Sequence, residues 1–384
     1  MKKSILILAA VVATTAISCK KKGCTDPTAT NYSSEAEKDD GSCEYSNTPT
    51  PYTVPTTYVF QDADGNSTVS YSGQTERLDQ LSEIVTYVKS GISGVIDAQV
   101  IKDAFANVGG DGNGFFSFTS TKQLKNKCFA ADQATFEGFM DAAAASSIDF
   151  ASTASSGQAG TISSGSSTYL VDANGVENVQ LIEKGLMGAV FMHQALNVYF
   201  GPDKMNVDNT TAVDPTGTPA KYYTVMEHHY DEAFGYFGVD IDFPTTIPGR
   251  FWGKYCNKQD PAINCNADMM DNFLMGRAAI SNDVLADRDA AIQAIRTEWE
   301  DISAYQAMNY LDDAIGYFGN DNAKFLHALA EGWAFAWNLR YAAEDTRRMT
   351  PTEHTALMAM FKTNFWDMTV ADLNAIKTEI DSKF

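Results

Sequence analysis

The longest segment with helical periodicity constrains the fold of this chain most strongly. It runs from Glu177 to Phe200, "ENVQLIEKGLMGAVFMHQALNVYF", contains no proline and is ended by the "GPD" that follows it. A second segment, "TERLDQLSEIVTYVKSG", places its leucines and valines between Leu78 and Val88 on one helical face and stops at Gly91. Further helices are predicted near residues 132–146, 219–237, 267–280, 285–318, 321–343, 351–363 and 370–382.

Strand signals are few by comparison. The best is "STYLV", which ends just before Asp172, and the segment 144–167, rich in small residues, is predicted to be a long exposed connection. Residues 58–384 form more helices than one four-helix bundle holds. We therefore predict a mainly α fold, a helical bundle that is either one large domain or two related halves, 58–240 and 241–384.

The chain begins with an export signal. "MKKSILILAAVVATTAISC" has two lysines, an apolar run from Ile5 to Val12, and small residues before Cys19. This pattern resembles the lipobox of bacterial lipoproteins, which implies that residues 1–18 are removed and that Cys19 carries the lipid anchor. No later segment reaches the roughly 20 apolar residues that cross a bilayer. We expect an outer-membrane lipoprotein, on the periplasmic face or at the cell surface.

The charge balance is strongly acidic. Removal of residues 1–18 takes away two lysines and changes the formal net charge from −21 to −23. Such a surface repels phosphate backbones, so nucleic acid is excluded as a partner, and it favours cations, basic ligands or metals. Acidity that serves solubility alone is the alternative interpretation.

Five cysteines follow the predicted lipid-anchor cysteine. In an oxidising compartment their local spacing suggests two disulfides, Cys24 with Cys43 and Cys256 with Cys265. Cys128, in "KNKCFAA", is then left over. We predict that it is a small buried apolar side chain rather than a reactive thiol.

The first cysteine pair encloses a self-contained unit, "CTDPTATNYSSEAEKDDGSC". It resembles a two-cysteine module of secreted proteins from gliding and marine Gram-negative bacteria, so we assign residues 19–45 to the lipid anchor and this module. A Pro- and Thr-rich linker, 46–57, follows. Four residues of the module could offer oxygen ligands to calcium or could simply form turns: Asp26, Asn31, Asp39 and Asp40.

A ten-residue frame occurs twice in the predicted helices. "DEAFGYFGVD", Asp231–Asp240, is repeated as "DDAIGYFGND", Asp312–Asp321. Two related halves would produce this repeat, and chance is the alternative. The shared features are predicted to be architectural: the Tyr-Phe pairs pack a helix end, and Gly238 and Gly319 end the helix in the left-handed conformation.

The residues that differ between the copies are the candidates for function. Glu227, His228 and His229 precede the first copy, whereas Met, Asn and Tyr stand at the matching places of the second. On a helix, His229 and Glu232 form a His-x-x-carboxylate pair, which binds metals in bundle cores, and Asp231 lies close by. We predict a site for a divalent metal, iron or zinc, at these five residues. The alternative is a surface ion pair beside one core histidine.

A second candidate lies in "FLHALAEGWAFAW". His327 and Glu331 are four positions apart on a helix dense with aromatic residues, Trp333 among them. These three residues form either one wall of an apolar ligand pocket or a part of the aromatic core.

Familiar hydrolase motifs are missing from the sequence. It contains no H-E-x-x-H, no G-x-S-x-G, no Walker loop and no dinucleotide fingerprint. Hydrolase chemistry therefore has no strong support from the sequence.

Several motifs together carry a family resemblance. The segments "VMEHHYDEAFGYFG", "RFWGKYCN", "LMGRAAI" and "HALAEGWAF" look like a lipoprotein family known as domain of unknown function 4856, and the resemblance covers roughly residues 57–384. The layout is also similar to imelysin-like proteins. That resemblance implies an extracytoplasmic bundle of two related halves with a His-x-x-Glu motif, matched here by His229 to Glu232, and an association with iron acquisition.

The leading expectation is a lipid-anchored extracytoplasmic binding protein for a metal ion or an iron-containing ligand, with an outer-membrane transporter as a partner. One alternative, which the imelysin resemblance implies, is a metallopeptidase with His229 as a ligand and Glu232 as a ligand or base. The other is a structural or adhesive surface lipoprotein, in which the histidines only support a helix.

Overall fold

A computed structural model describes residues 21–27, 29, 31–43 and 51–384. The predicted signal peptide and the predicted lipid anchor Cys19 lie outside the described residues, and so does the first part of the predicted linker. The described residues are mainly helical, which confirms the predicted fold class.

The regular elements follow one another as helices, interrupted once by a hairpin. Their bounds are α1 (Ser72–Lys89), α2 (Ala98–Phe105), α3 (Gln133–Ser147), β1 (Gly160–Ser164), β2 (Ser167–Val171), α4 (Asn178–Leu186), α5 (Pro202–Met205), α6 (Val225–Phe237), α7 (Phe251–Ile263), α8 (Cys265–Ser281), α9 (Leu285–Tyr317), α10 (Asn322–Asn338), α11 (Pro351–Ala359) and α12 (Val370–Asp381). Short 3-10 turns occur at Ser90–Ile92, Val108–Gly110, Lys125–Lys127, Ala130–Asp132, Leu339–Tyr341 and Phe365–Asp367.

The predicted strand "STYLV" is confirmed as β2. It pairs antiparallel with β1, and Gly160 lies opposite Val171 in the register. The interpretation of 144–167 as one long connection is wrong, because this segment holds the end of α3 and all of β1.

The long segment from Glu177 to Phe200 is helical but not regular. The α-helical part ends at Leu186, and two π-helical stretches follow, Met187–Met192 and Gln194–Tyr199. Wider π turns recur at functional sites. Here they end at Tyr199, whose ring lines the cavity described below.

Helix α9 is the longest element, with 33 residues, and it packs against α7, α8, α10 and α12. Its Trp299 is fully buried, with ring centroids of Phe237 and Trp252 at 4.9 and 5.8 Å. Residues 52–384 form one compact unit. The two related halves therefore stay a prediction. Among the described residues, no helix combines the length and apolar character that a bilayer span requires.

The N-terminal unit contains the predicted disulfide between Cys24 and Cys43. Within it, the Asp39 carboxylate accepts a hydrogen bond from the Gly41 backbone N–H, and Asp40 accepts one from Ser42. These are local turn contacts of the kind that Asp commonly makes. Calcium binding in this unit stays a prediction.

The predicted disulfide between Cys256 and Cys265 is not present. Both residues are buried free thiols, and Cys265 Sγ donates a hydrogen bond to the carbonyl oxygen of Cys256 at 2.9 Å. Local spacing correctly predicted that the two cysteines are close together, but in the structure the Cys265 thiol hydrogen-bonds to a backbone carbonyl oxygen within α7. Cys128 is a buried free thiol, as predicted, and burial raises its pKa.

Candidate functional site

Helix α6 carries the residues with which the sequence predicted a metal site. It begins with a capping box, in which the Thr224 hydroxyl accepts from the Glu227 N–H and the Glu227 carboxylate accepts from the Thr224 N–H. It ends at Gly238, whose φ of 75° is the left-handed conformation predicted for this position. The start and end of α6 are therefore both set by local sequence.

Two of the predicted metal ligands instead hold a buried arginine. Arg277 of α8 is fully buried, its Nε lies 2.9 Å from Asp231 Oδ1, and its Nη1 lies 2.8 Å from Glu227 Oε1. Asp231 also accepts hydrogen bonds from the Ser70 N–H and the Tyr58 hydroxyl. The oxygens of Asp231 and Glu227 thus already have partners within the core, and their assignment to a metal site stays a prediction.

Asp231 is charged at neutral pH in this setting. Burial raises its pKa to about 6, and the guanidinium of Arg277 and the Ser70 N–H act in the opposite direction. A buried ion pair of this kind is costly to break, because the partner left behind keeps an uncompensated charge. The Arg277 cluster thus has a structural explanation.

The other three predicted ligands, His228, His229 and Glu232, lie close together in α6. His229 Nδ1 donates to Glu232 Oε2 at 3.1 Å, while His228 Nε2 lies 3.9 Å from the same oxygen. The second Glu232 oxygen accepts from the Gln74 amide at 2.9 Å. His228 Nδ1 donates to the carbonyl oxygen of Ser70. Each group therefore already has a partner within the protein.

The protonation states follow from these contacts. Burial acts to raise the pKa of Glu232, but the hydrogen bond from His229 and the interactions with His228, Gln74 and Tyr199 outweigh it, and the pKa is lowered. Burial lowers the pKa of His228, and its interaction with Glu232 offsets this only in part. At neutral pH Glu232 is an anion and His228 is a neutral imidazole.

Among the described residues, no group of three or more His, Cys, Asp or Glu side chains is arranged to hold a metal ion. His228, His229 and Glu232 would supply three ligands, the number of a catalytic zinc site, but their contacts in the structure are hydrogen bonds within the protein. Metal binding at His229 and Glu232 therefore stays a prediction.

His228 and Glu232 line a large polar cavity, which we call the α6 cavity. Its volume is about 760 Å³, and its walls come from the segment before α1, the loop at 122–127, Tyr199 and the loop at 219–223. The Tyr223 ring stacks on the His228 imidazole with centroids 4.7 Å apart. The volume falls within the usual range of small-molecule sites, about 300 to 1,000 Å³.

The charges around the α6 cavity are mainly positive. Arg77, Lys122, Lys127 and Lys221 line it, whereas Glu232 is the single carboxylate among the described residues of its wall. None of these four cations forms an ion pair with a carboxylate in the part of the chain that the structure describes. The chain has 49 acidic side chains against 28 basic ones, so four basic groups without an acidic partner form an unusual local excess.

Two of these cations have further contacts. The Arg77 guanidinium donates to the carbonyl oxygens of Gly73 and Gln123, which fixes its position. Lys127 Nζ lies 3.2 Å from the Tyr199 hydroxyl, and burial, followed by the nearby Arg77, lowers its pKa. A cation whose charge is disfavoured by burial and by a like charge is stabilised when an anion binds beside it.

His327 is the centre of a second cluster. Its Nδ1 lies 2.6 Å from Glu177 Oε2, and its Nε2 lies 3.4 Å from Glu331 Oε2. Burial alone would lower the pKa of His327, but the hydrogen bond to Glu177 outweighs it, and the pKa is raised. Glu331 also lies 3.4 Å from Nζ of the buried Lys184.

His327 lines a cavity of about 270 Å³, and Trp333 is not among the residues that line it. The Trp333 ring instead stacks on Trp337 at 5.1 Å and meets the edge of Phe139. Glu331 lies behind the imidazole rather than on the cavity wall. Of the three residues, only His327 lines this cavity, and a ligand pocket there stays a prediction.

Sequence reasoning missed most of the residues that matter here. The capping-box pattern Thr-x-x-Glu at 224–227 was visible in the sequence and would have explained Glu227. The cations of the α6 cavity come from three segments distant in the chain and carry no common motif. Glu177 and Gln180, which contact His327, lie in a segment whose sequence predicts a helix and carries no motif for a site.

Fold and site together define a mainly helical domain with a charged cavity between α6 and its surrounding loops. The chain belongs to the family described as domain of unknown function (DUF4856), which matches residues 55–384. No match was found among the curated proteins or among the solved structures.

Proposed function

We propose that this protein is an extracytoplasmic binding protein whose α6 cavity takes a small oxyanion, a molecule that carries carboxylate or phosphate groups. The single observation that carries this proposal is the set of four cations, Arg77, Lys122, Lys127 and Lys221, around one carboxylate in a cavity of about 760 Å³.

The acidic net charge of the protein makes the four unpaired cations of the α6 cavity unexpected. Overall acidity led to the expectation of a cationic ligand, since an acidic surface attracts cations. With 49 acidic side chains available, the absence of carboxylate partners for these four cations among the described residues favours a partner supplied by the ligand. Charge-assisted hydrogen bonds from Arg and Lys are the usual means of holding carboxylates and phosphates.

The polar groups that remain in the cavity fit the same ligand. Its walls include the phenols of Tyr222 and Tyr223, and a phenol O–H can donate to an oxyanion. Glu232 is occupied by His229 and Gln74, so its charge is shared within the protein. The cavity therefore presents mainly donors to a ligand.

Location outside the cytoplasm is a part of the same proposal. The Cys24–Cys43 disulfide supports it, because such bonds persist in oxidising compartments. The predicted signal at 1–18 and lipid anchor at Cys19 would attach the protein to the outer membrane, on its periplasmic face or at the cell surface.

The test is a titration of the purified full chain with phosphate, sulfate, succinate and citrate by calorimetry at low ionic strength. We expect at least one oxyanion to bind with a stoichiometry of one. The double substitution Lys127→Met, Lys221→Met should weaken that binding by at least about tenfold, because each charge-assisted contact is worth more than 1 kcal/mol. Comparison of phosphate with the carboxylates identifies the class of oxyanion.

Lys258→Met is the matched control. Lys258 is another lysine without an ion pair among the described residues, but it lies over the Tyr310 ring, away from the α6 cavity. Its substitution should leave affinity unchanged. Equal affinity in the double variant and the wild type would contradict the proposal, as would a failure of all four oxyanions to bind.

Metal or iron binding, a metallopeptidase activity and an adhesive role remain alternatives from the sequence. Elemental analysis of the protein and of a His229→Ala, Glu232→Ala variant tests metal binding. Sensitivity of proteolysis to chelators tests the metallopeptidase activity. An outer-membrane transporter as partner stays a prediction.

A further inference from the structure

The cavity beside His327, here called the His327 cavity, is distinct from the α6 cavity in place and in character. It lies between the ends of α1 and α3, the strand β2 and the start of α4. Most of its wall is apolar, with Val88, Ala143, Leu170 and Val179 among the lining residues. Its volume of about 270 Å³ is close to the lower end of small-molecule sites, about 300 Å³.

One end of this cavity is polar and rich in hydrogen-bond acceptors. Both His327 nitrogens face carboxylates, Glu177 at 2.6 Å and Glu331 at 3.4 Å, so neither N–H is free for a ligand. Glu177 lines the cavity, and its carboxylate accepts from the Gln180 amide at 3.0 Å. The charged residues that line the cavity with His327 are Glu177 and Lys89, and Lys89 is paired with Glu183 at 3.3 Å.

Gln180 supplies a second, independent sign of a ligand. Its side chain lines the cavity and the residue is only 3% exposed, yet its side-chain oxygen has no hydrogen-bond partner in the described part of the chain. Its amide nitrogen already donates to Glu177, so exchanging the two ends of the amide would place an oxygen against a carboxylate. A buried acceptor without a donor is costly, and a donor from a ligand removes that cost.

We propose that the His327 cavity binds a small primary amine with a short apolar body. The ammonium group would donate to the Gln180 side-chain oxygen and to Glu177, and the apolar body would lie against Val88, Ala143 and Val179. The Tyr169 ring, stacked on His327 at 4.5 Å, closes the polar end and holds the imidazole in place. An anion at the polar end would lie beside Glu177, whereas the lining Lys89 is already paired with Glu183. The two cavities are therefore opposite in their proposed preference.

The probes for this proposal are three molecules of one length: n-pentylamine, 1-pentanol and pentanoate. Each is titrated into the purified full chain at pH 7, where the amine is protonated, and binding is followed by calorimetry and by thermal shift. We expect saturable binding of n-pentylamine, about tenfold weaker binding of 1-pentanol, and no binding of pentanoate at this site.

Two substitutions test the two ends of the cavity separately. Gln180→Leu removes the free acceptor at similar size and should weaken n-pentylamine about tenfold while 1-pentanol binds as before. Ala143→Leu fills the apolar part of the cavity and should abolish the binding of both n-pentylamine and 1-pentanol. This second variant keeps the test decisive if Gln180→Leu does not fold. The Lys127→Met, Lys221→Met variant of the α6 cavity should bind the amine normally, so failure here is distinct from failure of the proposed function.

Two results would overturn the proposal. One is binding of pentanoate as tight as that of n-pentylamine, which would show that the polar end does not select a cation. The other is amine binding that neither Gln180→Leu nor Ala143→Leu changes, or no amine binding at all.

Discussion

The two copies of the repeated frame have nearly the same sequence and very different surroundings. In Asp231–Asp240 the first acid is fully buried against Arg277, and both aromatic residues of the Tyr-Phe pair are buried. In Asp312–Asp321 the first acid is paired with Lys377 at the surface, and Phe318 is 39% exposed. Both Tyr-Phe pairs therefore pack at a helix end, as predicted, but the second pair is only partly covered: Tyr317 is partly buried, and Phe318 meets Phe325 at 5.4 Å.

What the copies share is the helix end itself. Gly238 and Gly319 have φ values of 75° and 74°, so both glycines adopt the left-handed conformation that the repeat predicted. The rest is decided by partners elsewhere in the chain: the first copy faces Arg277 of α8 and the second faces Lys377 of α12. The frame thus determines where a helix stops, while its surroundings determine whether its side chains become core or surface.

The largest expected effect comes from the two basic partners. Arg277→Met should destabilise the protein by about 3 to 5 kcal/mol, because it leaves the buried Asp231 and Glu227 without their cation. Lys377→Met should cost less than about 1 kcal/mol, because its ion pair with Asp312 is exposed. Urea unfolding of both variants checks this difference, and equal losses would show that the two copies are not distinguished by burial.

The aromatic residues should differ nearly as much. Phe237→Ala removes a fully buried ring beside Trp299 and should cost about 3 to 5 kcal/mol. Phe318→Ala removes a ring that is 39% exposed and should cost about 1 kcal/mol or less. The measurement is again the free energy of unfolding, and a large loss for Phe318→Ala would contradict the surface assignment of the second copy.

The glycines give a smaller, graded comparison. Gly319→Ala should cost about 1 to 2 kcal/mol, since a Cβ in the left-handed conformation is strained and nothing lies within 4 Å of it. Gly238→Ala should cost about 1 kcal/mol more, because its Cβ would lie 2.5 Å from Cδ2 of Leu78. Thermal unfolding of the two variants measures this difference, and a milder effect at Gly238 would argue against close packing there.

The smallest expected effect concerns ligand binding and pH. Because burial lowers the pKa of His228, the imidazole is neutral at pH 7. It gains a proton only when the pH falls below the ordinary pKa of histidine, about 6.5. Oxyanion affinity should then rise about fivefold, as expected for one partly exposed charge. His228→Asn, which introduces the residue of the second copy, should remove this rise, and a persistent rise would assign it to another group.

The sequence predicted the helices well where periodicity and local stop signals agree. The end of α6 at Gly238 and the strand β2 are examples, since both depend on short-range patterns. The π-helical stretches after Leu186 could not be predicted, because their residues are equally suited to an α-helix. We attribute the change from α-helix to π-helix to the packing of these residues against the rest of the fold.

The site was predicted only in part, for a similar reason. Helical spacing correctly placed His229 beside Glu232, but it could not show that Asp231 and Glu227 face Arg277, 46 and 50 positions along the chain. The cations of the α6 cavity come from separate segments, and only tertiary packing brings them together. Overall acidity led to the expectation of a cationic ligand, which stays a prediction. Composition does not record where in the fold the charges lie.

The most direct test of the central claim is anomalous diffraction from crystals of the protein soaked in bromide. If the α6 cavity binds anions, the strongest bromide peak should lie within it, in contact with Lys127 or Lys221 and remote from Glu232. A cavity without bromide, with the peaks scattered over surface lysines such as Lys377, would contradict the claim that these four cations form an anion site.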